Sequence, residues 1–188
     1  MLYELRIYDL KAGSAPAYLD LFVRRGIGAV TRHLPLGGYW LAESGPLNRL
    51  YHLWIYESLS ERDQCRRQLA ADDEWVEGFV PEGFAMIVSQ TNLLMSRTGK
   101  SAALDAVEAS RRQTHRNLGV GEPTMATSFQ YLTREAVQIE DQHIAQWRIV
   151  SGHWPGQFMT LHGGSAFASV GQPLSHILLR PISCSPLR

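Results

Sequence analysis

The stretch Leu2-Tyr3-Glu4-Leu5-Arg6-Ile7-Tyr8 opens a chain of 188 residues and alternates without a break. Tyr3, Leu5 and Ile7 point one way, and Glu4, Arg6 and Tyr8 the other. Period-two alternation with aromatic residues predicts a half-buried strand. Lys11-Ala12-Gly13 ends it. Ser14 is the expected helix cap, with Pro16 in the first turn where its missing N–H costs nothing. That helix runs to about His33, carries Tyr18, Leu21, Phe22 and Val30 on one stripe, and is stopped by Pro35 and Gly37-Gly38. A second strand is expected over residues 38–43, then a hairpin loop at Ser44-Gly45-Pro46-Leu47-Asn48. The third strand, residues 49–57, places His52, Trp54 and Tyr56 on one face and Tyr51, Leu53 and Ile55 on the other. Ser60 with Asp63 three residues on opens a second helix through Leu69. A helical turn over 73–79 and a fourth strand over 85–95 follow.

The order β-α-β-β-α-β is the split βαβ pattern of an α+β, ferredoxin-like fold. The crossover makes the first two strands parallel, and the hairpin makes the second and third antiparallel. Two helices cover one sheet face. The other face needs a partner subunit or a second copy of the unit.

Composition narrows the function classes. The chain is 45% apolar, with 18 basic and 18 acidic residues. That excludes a disordered tail and a strongly basic nucleic-acid binder. No run of 18 uncharged apolar residues exists, so no membrane-spanning helix is expected. The N-terminal residues lack a basic region, a long apolar core and a cleavage site, so they read as mature structure and the expected location is cytoplasmic. Cys65 and Cys184 are far apart and form no CxxC pair, so both are expected as reduced thiols.

Six pieces in order carry a family resemblance: Tyr3-Glu-Leu-Arg-Ile-Tyr8, Gly38-Tyr39-Trp40, Gly45-Pro46-Leu47-Asn48, His52-Leu53-Trp54-Ile55-Tyr56, the helix start Ser58-x-x-Glu61-Arg62, and Ile87-Val88-Ser89-Gln90-Thr91-Asn92. Residues 2–95 resemble the NIPSNAP family, within the superfamily of dimeric α+β barrels. The resemblance implies the ferredoxin-like fold and two sheets paired face to face into a dimeric α/β barrel, so a homodimer is expected. It implies little about chemistry. Members elsewhere are linked to mitochondria, vesicle traffic and haem binding, and the superfamily includes cofactor-free monooxygenases; none of these roles transfers by fold alone.

The division expected is residues 1–96 as the NIPSNAP-like unit, 97–123 as helix and linker, and 124–188 as a second half. A helix is expected over 101–117, with Leu104, Val107 and Arg111 on one stripe. Strands are expected over 129–132, 145–150, 157–161 and 176–179, and a glycine-rich loop over 163–173. An internal echo is present: Trp40-x-x-x-Ser44-Gly45 recurs as Trp147-x-x-x-Ser151-Gly152. Each is followed by a strand, with Tyr51-His52-Leu53-Trp54 in one half and Met159-Thr160-Leu161-His162 in the other. The second half is therefore either a degenerate second ferredoxin-like copy, with a short helix over 134–143, or an irregular β-rich extension.

Motifs of known chemistry are weak. Thr98-Gly99-Lys100-Ser101 ends like a phosphate loop, but Leu94 stands where its first glycine belongs. His162-Gly163-Gly164 has no nucleophile elbow to serve. His143, His153 and His162 lack metal-ligand spacing, so no metal site is expected. The preferred constellation lies on the sheet face away from the helices, on the reasoning that Tyr3, Leu5 and Ile7, the more apolar set, meet the helices. It consists of Arg6 and His52 as catalytic candidates, joined by Tyr8, Trp40, Trp54, Gln90 and Asn92 as a binding wall. Aromatic walls with a few fixed polar groups are the composition of a small-molecule pocket. His52 would serve as general base and Arg6 as the grip on an enolate or carboxylate. Three readings follow: a small-molecule binder with cofactor-free oxygenase or isomerase chemistry, a non-catalytic oligomeric interaction protein, or a noncovalent haem binder.

Overall fold

The computed structural model describes residues 1–140, 143–164 and 172–188. Its elements are β1 Leu2–Leu10, α1 Ala15–Leu21, a π-helical turn Phe22–Gly26, α2 Ile27–His33, β2 Leu36–Ala42, β3 Arg49–Tyr56, α3 Leu59–Ala70, α4 Asp73–Val76, α5 Val80–Ala85, β4 Ile87–Thr98, α6 Ala102–Ser110, β5 Gln130–Glu135, β6 Ala145–Ser151, β7 Phe158–Gly163 and β8 Ser175–Pro181. The strands close a barrel in the order β1-β3-β2-β8-β5-β7-β6-β4, every neighbouring pair antiparallel.

Within the first half the order is β4-β1-β3-β2, and within the second it is β8-β5-β7-β6. Numbered inside each half, both read fourth, first, third, second. The seams β2–β8 and β4–β6 join the halves. The two Trp-x-x-x-Ser-Gly segments of the sequence fall at the second strand of each half. Trp40 on β2 and Trp147 on β6 both lie in the barrel core, and each is followed by a left-handed glycine, Gly45 at φ 74° and Gly152 at φ 103°. Leu5 faces Leu53 across β1 and β3, as Leu132 faces Leu161 across β5 and β7.

Two apolar clusters lie on opposite faces of the first sheet. Inside the barrel, Tyr3, Leu5, Ile7, Trp40 and Leu53 meet Leu132, Trp147, Ile149 and Leu161 from the second half, and Leu104 and Val107 of α6 join them. Outside, Tyr8, Leu50, Trp54 and Tyr56 meet Tyr18, Leu19, Phe22 and Val23 of the helical layer, with Phe79 and Leu69. The expected facing is therefore inverted. Tyr3, Leu5 and Ile7 line the barrel interior, while Glu4, Arg6 and Tyr8 face the helices. The physical reason is that the second half turns the supposedly bare face into the drier of the two. The outer face tolerates a carboxylate because α3 delivers two arginines to it: Arg62 and Arg66 donate to opposite oxygens of Glu4 at 2.7 and 2.6 Å. Because the chain's own second half covers the inner face, closing the barrel calls for no partner subunit.

Local chemistry moves several expected boundaries. The Ser14 hydroxyl donates to Lys11 O, and the N–H groups of Gly13, before the helix, and of Ala15, its first residue, go instead to Oδ1 of Asn48, a residue at φ 56° in the hairpin turn. Ser58, not Ser60, caps α3: its Oγ accepts from Glu61 N at 3.1 Å while Glu61 reaches back to the N–H of Glu57. The first helix is interrupted by a π turn, a feature that breaks the i→i−4 ladder. The segment after α6 repairs it. Leu118 N donates to Val23 O at 2.8 Å, Gly28 N to Asn117 Oδ1 at 2.9 Å, and His115 N to Thr31 Oγ1 at 2.9 Å. The helix expected over 101–117 therefore stops at Ser110, because the residues beyond it run along α2 as a strap. No helix occupies the described part of 134–143; Arg134 and Glu135 belong to β5, held in register with Met159 and Phe158. The loop expected over 163–173 lies largely outside the described residues. Cys65 and Cys184 are both free thiols.

Candidate functional site

Antiparallel register decides which side chains meet. Arg6 lies directly across from His52 on β3 and from Asn92 on β4, and Tyr8 across from Gln90. On the next strand His52 lies across from Tyr39. The face that carries Arg6 and His52 therefore carries Tyr39, and Trp40 points into the barrel. Trp40 is a correction to the expected wall: its indole N–H donates to Gln130 Oε1 at 2.6 Å within the core. Once His52 is placed outside, the two-residue period assigns Tyr39 and not Trp40 to the same side, a parity that the hairpin already contained.

The helices stand off this face far enough to leave a partly open cavity of about 230 Å³, lined by Arg6, Tyr8, His52, Trp54 and Gln90 among others. Of the expected site residues, these five come together. Asn92 does not line the cavity; its amide donates to Glu4 Oε1 at 2.9 Å. The expected site also missed the helical wall, which includes Tyr18, Phe22, Leu34, Arg66 and Trp75. Tyr18 and Phe22 were legible as a helical stripe, but their partners were assigned to the wrong sheet face.

His52 is held from three sides. Tyr39 stacks on its ring at a centroid distance of 4.9 Å, Tyr8 meets it edge-on at 4.5 Å, and Trp54 Nε1 donates to its Nδ1 at 2.8 Å. An indole N–H only donates, so Nδ1 must accept and the neutral ring carries its proton on Nε2. That Nε2 is buried and has no hydrogen-bond partner. Burial first, and the positive charge of Arg6 next, push the imidazole well below its usual 6.5, so the ring is neutral at physiological pH.

Arg6 is half-buried. Its Nη2 donates to Gln90 Oε1 at 2.9 Å, its guanidinium lies 5.3 Å from the Tyr8 ring centre, and its Nε is buried without a partner. Behind it, Glu4 is fully buried between Arg62, Arg66 and Asn92. Burial alone would raise the Glu4 pKa, but the Arg62 hydrogen bond and the Arg66 charge outweigh it and hold the carboxyl down at about 2. Glu4 is thus a fixed anion that orients the two α3 arginines. Among the described residues no group of three or more His, Cys, Asp or Glu is arranged to hold a metal ion, and no helix is long and apolar enough to cross a membrane.

Comparison with known proteins agrees with the fold. Over 91 residues the chain is 35% identical to protein NipSnap homolog 3A of Homo sapiens, a match spanning 48% of this chain and 36% of that protein. Over 89 residues it is 36% identical to NipSnap homolog 3B of Mus musculus, spanning 47% of this chain and 36% of that protein. The match thus covers about a third of the length of these curated relatives. A solved NIPSNAP family protein of unknown function from Agrobacterium tumefaciens is 38% identical, with a TM-score of 0.52 over 54% of this chain and 92% of that one. A proposed monooxygenase from Lactobacillus acidophilus is only 8% identical but covers 96% of this chain and 92% of its own at a TM-score of 0.50. That likeness shows that the whole-chain fold occurs elsewhere and nothing about chemistry. The NIPSNAP family model matches residues 3–102, more than half of the sequence and the whole of the first four-stranded sheet, and the chain belongs to the NIPSNAP family.

Proposed function

We propose that this protein binds one small apolar or aromatic molecule in the cavity between the outer face of the first sheet and its helices. Arg6 and His52 are the polar grip, and Tyr8, Trp54 and Gln90 belong to the wall. The observation that carries this reading is the buried, unpartnered Nε2 of His52 beside a cavity walled largely by aromatic side chains. A donor left unsatisfied away from water costs about 1–3 kcal/mol, which a ligand acceptor would recover. The tautomer argues for His52 as a hydrogen-bond donor and against the general base expected from sequence. Two N–H donors suit negative charge on oxygen, so Arg6 and His52 would stabilise the enolate or phenolate form of a ligand that gives its proton to water, the form on which cofactor-free attack by molecular oxygen or isomerisation would proceed.

The site does not fit haem. The only lone pair of the neutral His52 ring is taken by Trp54, and the cavity is smaller than pockets for drug-sized ligands, about 300–1,000 Å³. The repeated strand order supports reading residues 124–188 as a degenerate second copy of a ferredoxin-like unit spanning 1–96, joined by 97–123, with the helical cover retained on the first copy. The protein is then a cytoplasmic binder whose further self-association, as a dimer, uses its outer surface and not the barrel interior.

Titration calorimetry with a panel of one-ring probes (phenol, benzyl alcohol and phenylacetate) tests the reading. At least one probe should give saturable heat in the millimolar range or below, lost in Val30→Trp, which fills the cavity from α2. Saturable binding by none of them, or equal binding by a folded V30W variant, overturns it.

A further inference from the structure

The charges around this cavity do not balance. Three arginines gather here, Arg6, Arg62 and Arg66, and Glu4 is the acid set among them. Glu4 is fully engaged, one oxygen to Arg62 and Asn92 and the other to Arg66. Arg6 is left with the neutral amide oxygen of Gln90, and no ion pair within 4.0 Å joins it to a carboxylate among the described residues. A guanidinium half out of water, with a buried Nε that meets no acceptor, lacks the counter-ion that such a group ordinarily has.

The second unsatisfied donor lies next to it. Arg6 and His52 are directly opposed across β1 and β3, an arrangement that sets their Cβ atoms about 5 Å apart on the same face. Both present N–H groups, and neither Nε atom has a partner. Two N–H donors on adjacent side chains, one of them cationic, match the two oxygens of one carboxylate. Arg66 and Gln90 also reach the wall, and the remainder is apolar or aromatic, with Phe22, Leu34, Trp54, Leu69 and Trp75. An apolar cavity of about 150 Å³ holds a benzene ring. The 230 Å³ present here accommodates a ring or short branched chain together with its carboxylate.

We infer that the ligand class is a one-ring or short-chain organic carboxylate, its two oxygens shared between the Arg6 guanidinium and the His52 Nε2–H, its apolar body against Phe22 and Trp75. This inference rests on the proposed cavity and sharpens it from an apolar molecule to an organic acid.

The test compares phenylacetate with phenylacetamide, which has the same ring and nearly the same shape without the charge. Calorimetry at pH 7 should show phenylacetate binding at least tenfold more tightly, and Arg6→Gln should bring the two within about threefold while circular dichroism reports an intact fold. Equal affinity for acid and amide in the unaltered protein, or an undiminished preference in R6Q, overturns the carboxylate inference and leaves the apolar cavity standing. If neither compound binds, nor any other one-ring probe, the cavity reading itself fails and the inference falls with it.

Discussion

Replacing Glu4 with Gln removes the one acid in a buried cluster of arginines, and its consequence can be worked out from the structure. The folded protein holds this carboxyl at about 2 against a usual 4.5. Each unit of displacement is worth about 1.4 kcal/mol, so the ionised side chain contributes roughly 3 kcal/mol at pH 7. Removing one partner from a buried ion pair costs about 3–5 kcal/mol by a separate route, which agrees. For a chain of this length the expected fall in Tm is about 6–12 °C. The sign of the pH dependence follows. A depressed carboxylate pKa stabilises above the unfolded value and is lost as pH falls from 4.5 toward 2. At pH 3 the unaltered protein has lost about 2 kcal/mol of that contribution, whereas Glu4→Gln has none to lose. Urea unfolding of both proteins at pH 7, 5, 4 and 3 measures this. The gap between them should be widest at pH 7 and narrow by about 2 kcal/mol at pH 3. A constant gap across that range, or an E4Q protein within about 0.5 kcal/mol of the unaltered one at pH 7, would refute the reasoning.

Two further outcomes are expected. A Cβ added at Gly38 would lie 2.0 Å from the Trp40 ring, which is tied to Gln130 inside the barrel; Gly38→Ala should therefore lose about 1–3 kcal/mol in urea unfolding, and an unchanged midpoint would contradict the packing. The His52 pKa is lowered by burial and by Arg6, so the unfolded chain takes up a proton that the folded one refuses, and stability falls as pH drops below 6.5. Nitrogen-correlated NMR should show a His52 ring that stays neutral, with its proton on Nε2, as pH falls from 8 through 6.5, and an ordinary titration near 6.5 would sink the donor assignment.

Much of the candidate site was legible from local pattern. Alternation in residues 2–8 and 49–56 put Arg6 and Tyr8 on one face of β1, and His52 and Trp54 on one face of β3. The antiparallel pairing then brought these residues together. Tyr39, not Trp40, obeys the same rule: it lies across from His52 and shares its face. Arg66 was not legible, because an arginine on a polar helix of mixed charge carries no mark that it reaches a buried carboxylate 62 positions away. The role of His52 changed for a similar reason. Its tautomer depends on Trp54, a neighbour two residues along the same strand whose indole bends back onto the ring.

Sequence by itself indicated neither the π turn nor α5, but it did indicate the strand order of the first half with its first two helical regions, the approximate positions of the later strands, and the recurrence of the Trp40 pattern at Trp147. These depend on periodicity, capping and turn chemistry, which act over a few residues. Tertiary structure alone decided which face of each strand is the core. Alternation separates two faces but cannot rank them, since dryness depends on what arrives from elsewhere in the chain. Here the second half arrived on the side of Tyr3, Leu5 and Ile7, and the helices with Arg62 and Arg66 arrived on the side of Glu4 and Arg6. That placement turned an expected interface into a closed barrel and put the cavity beneath the helices.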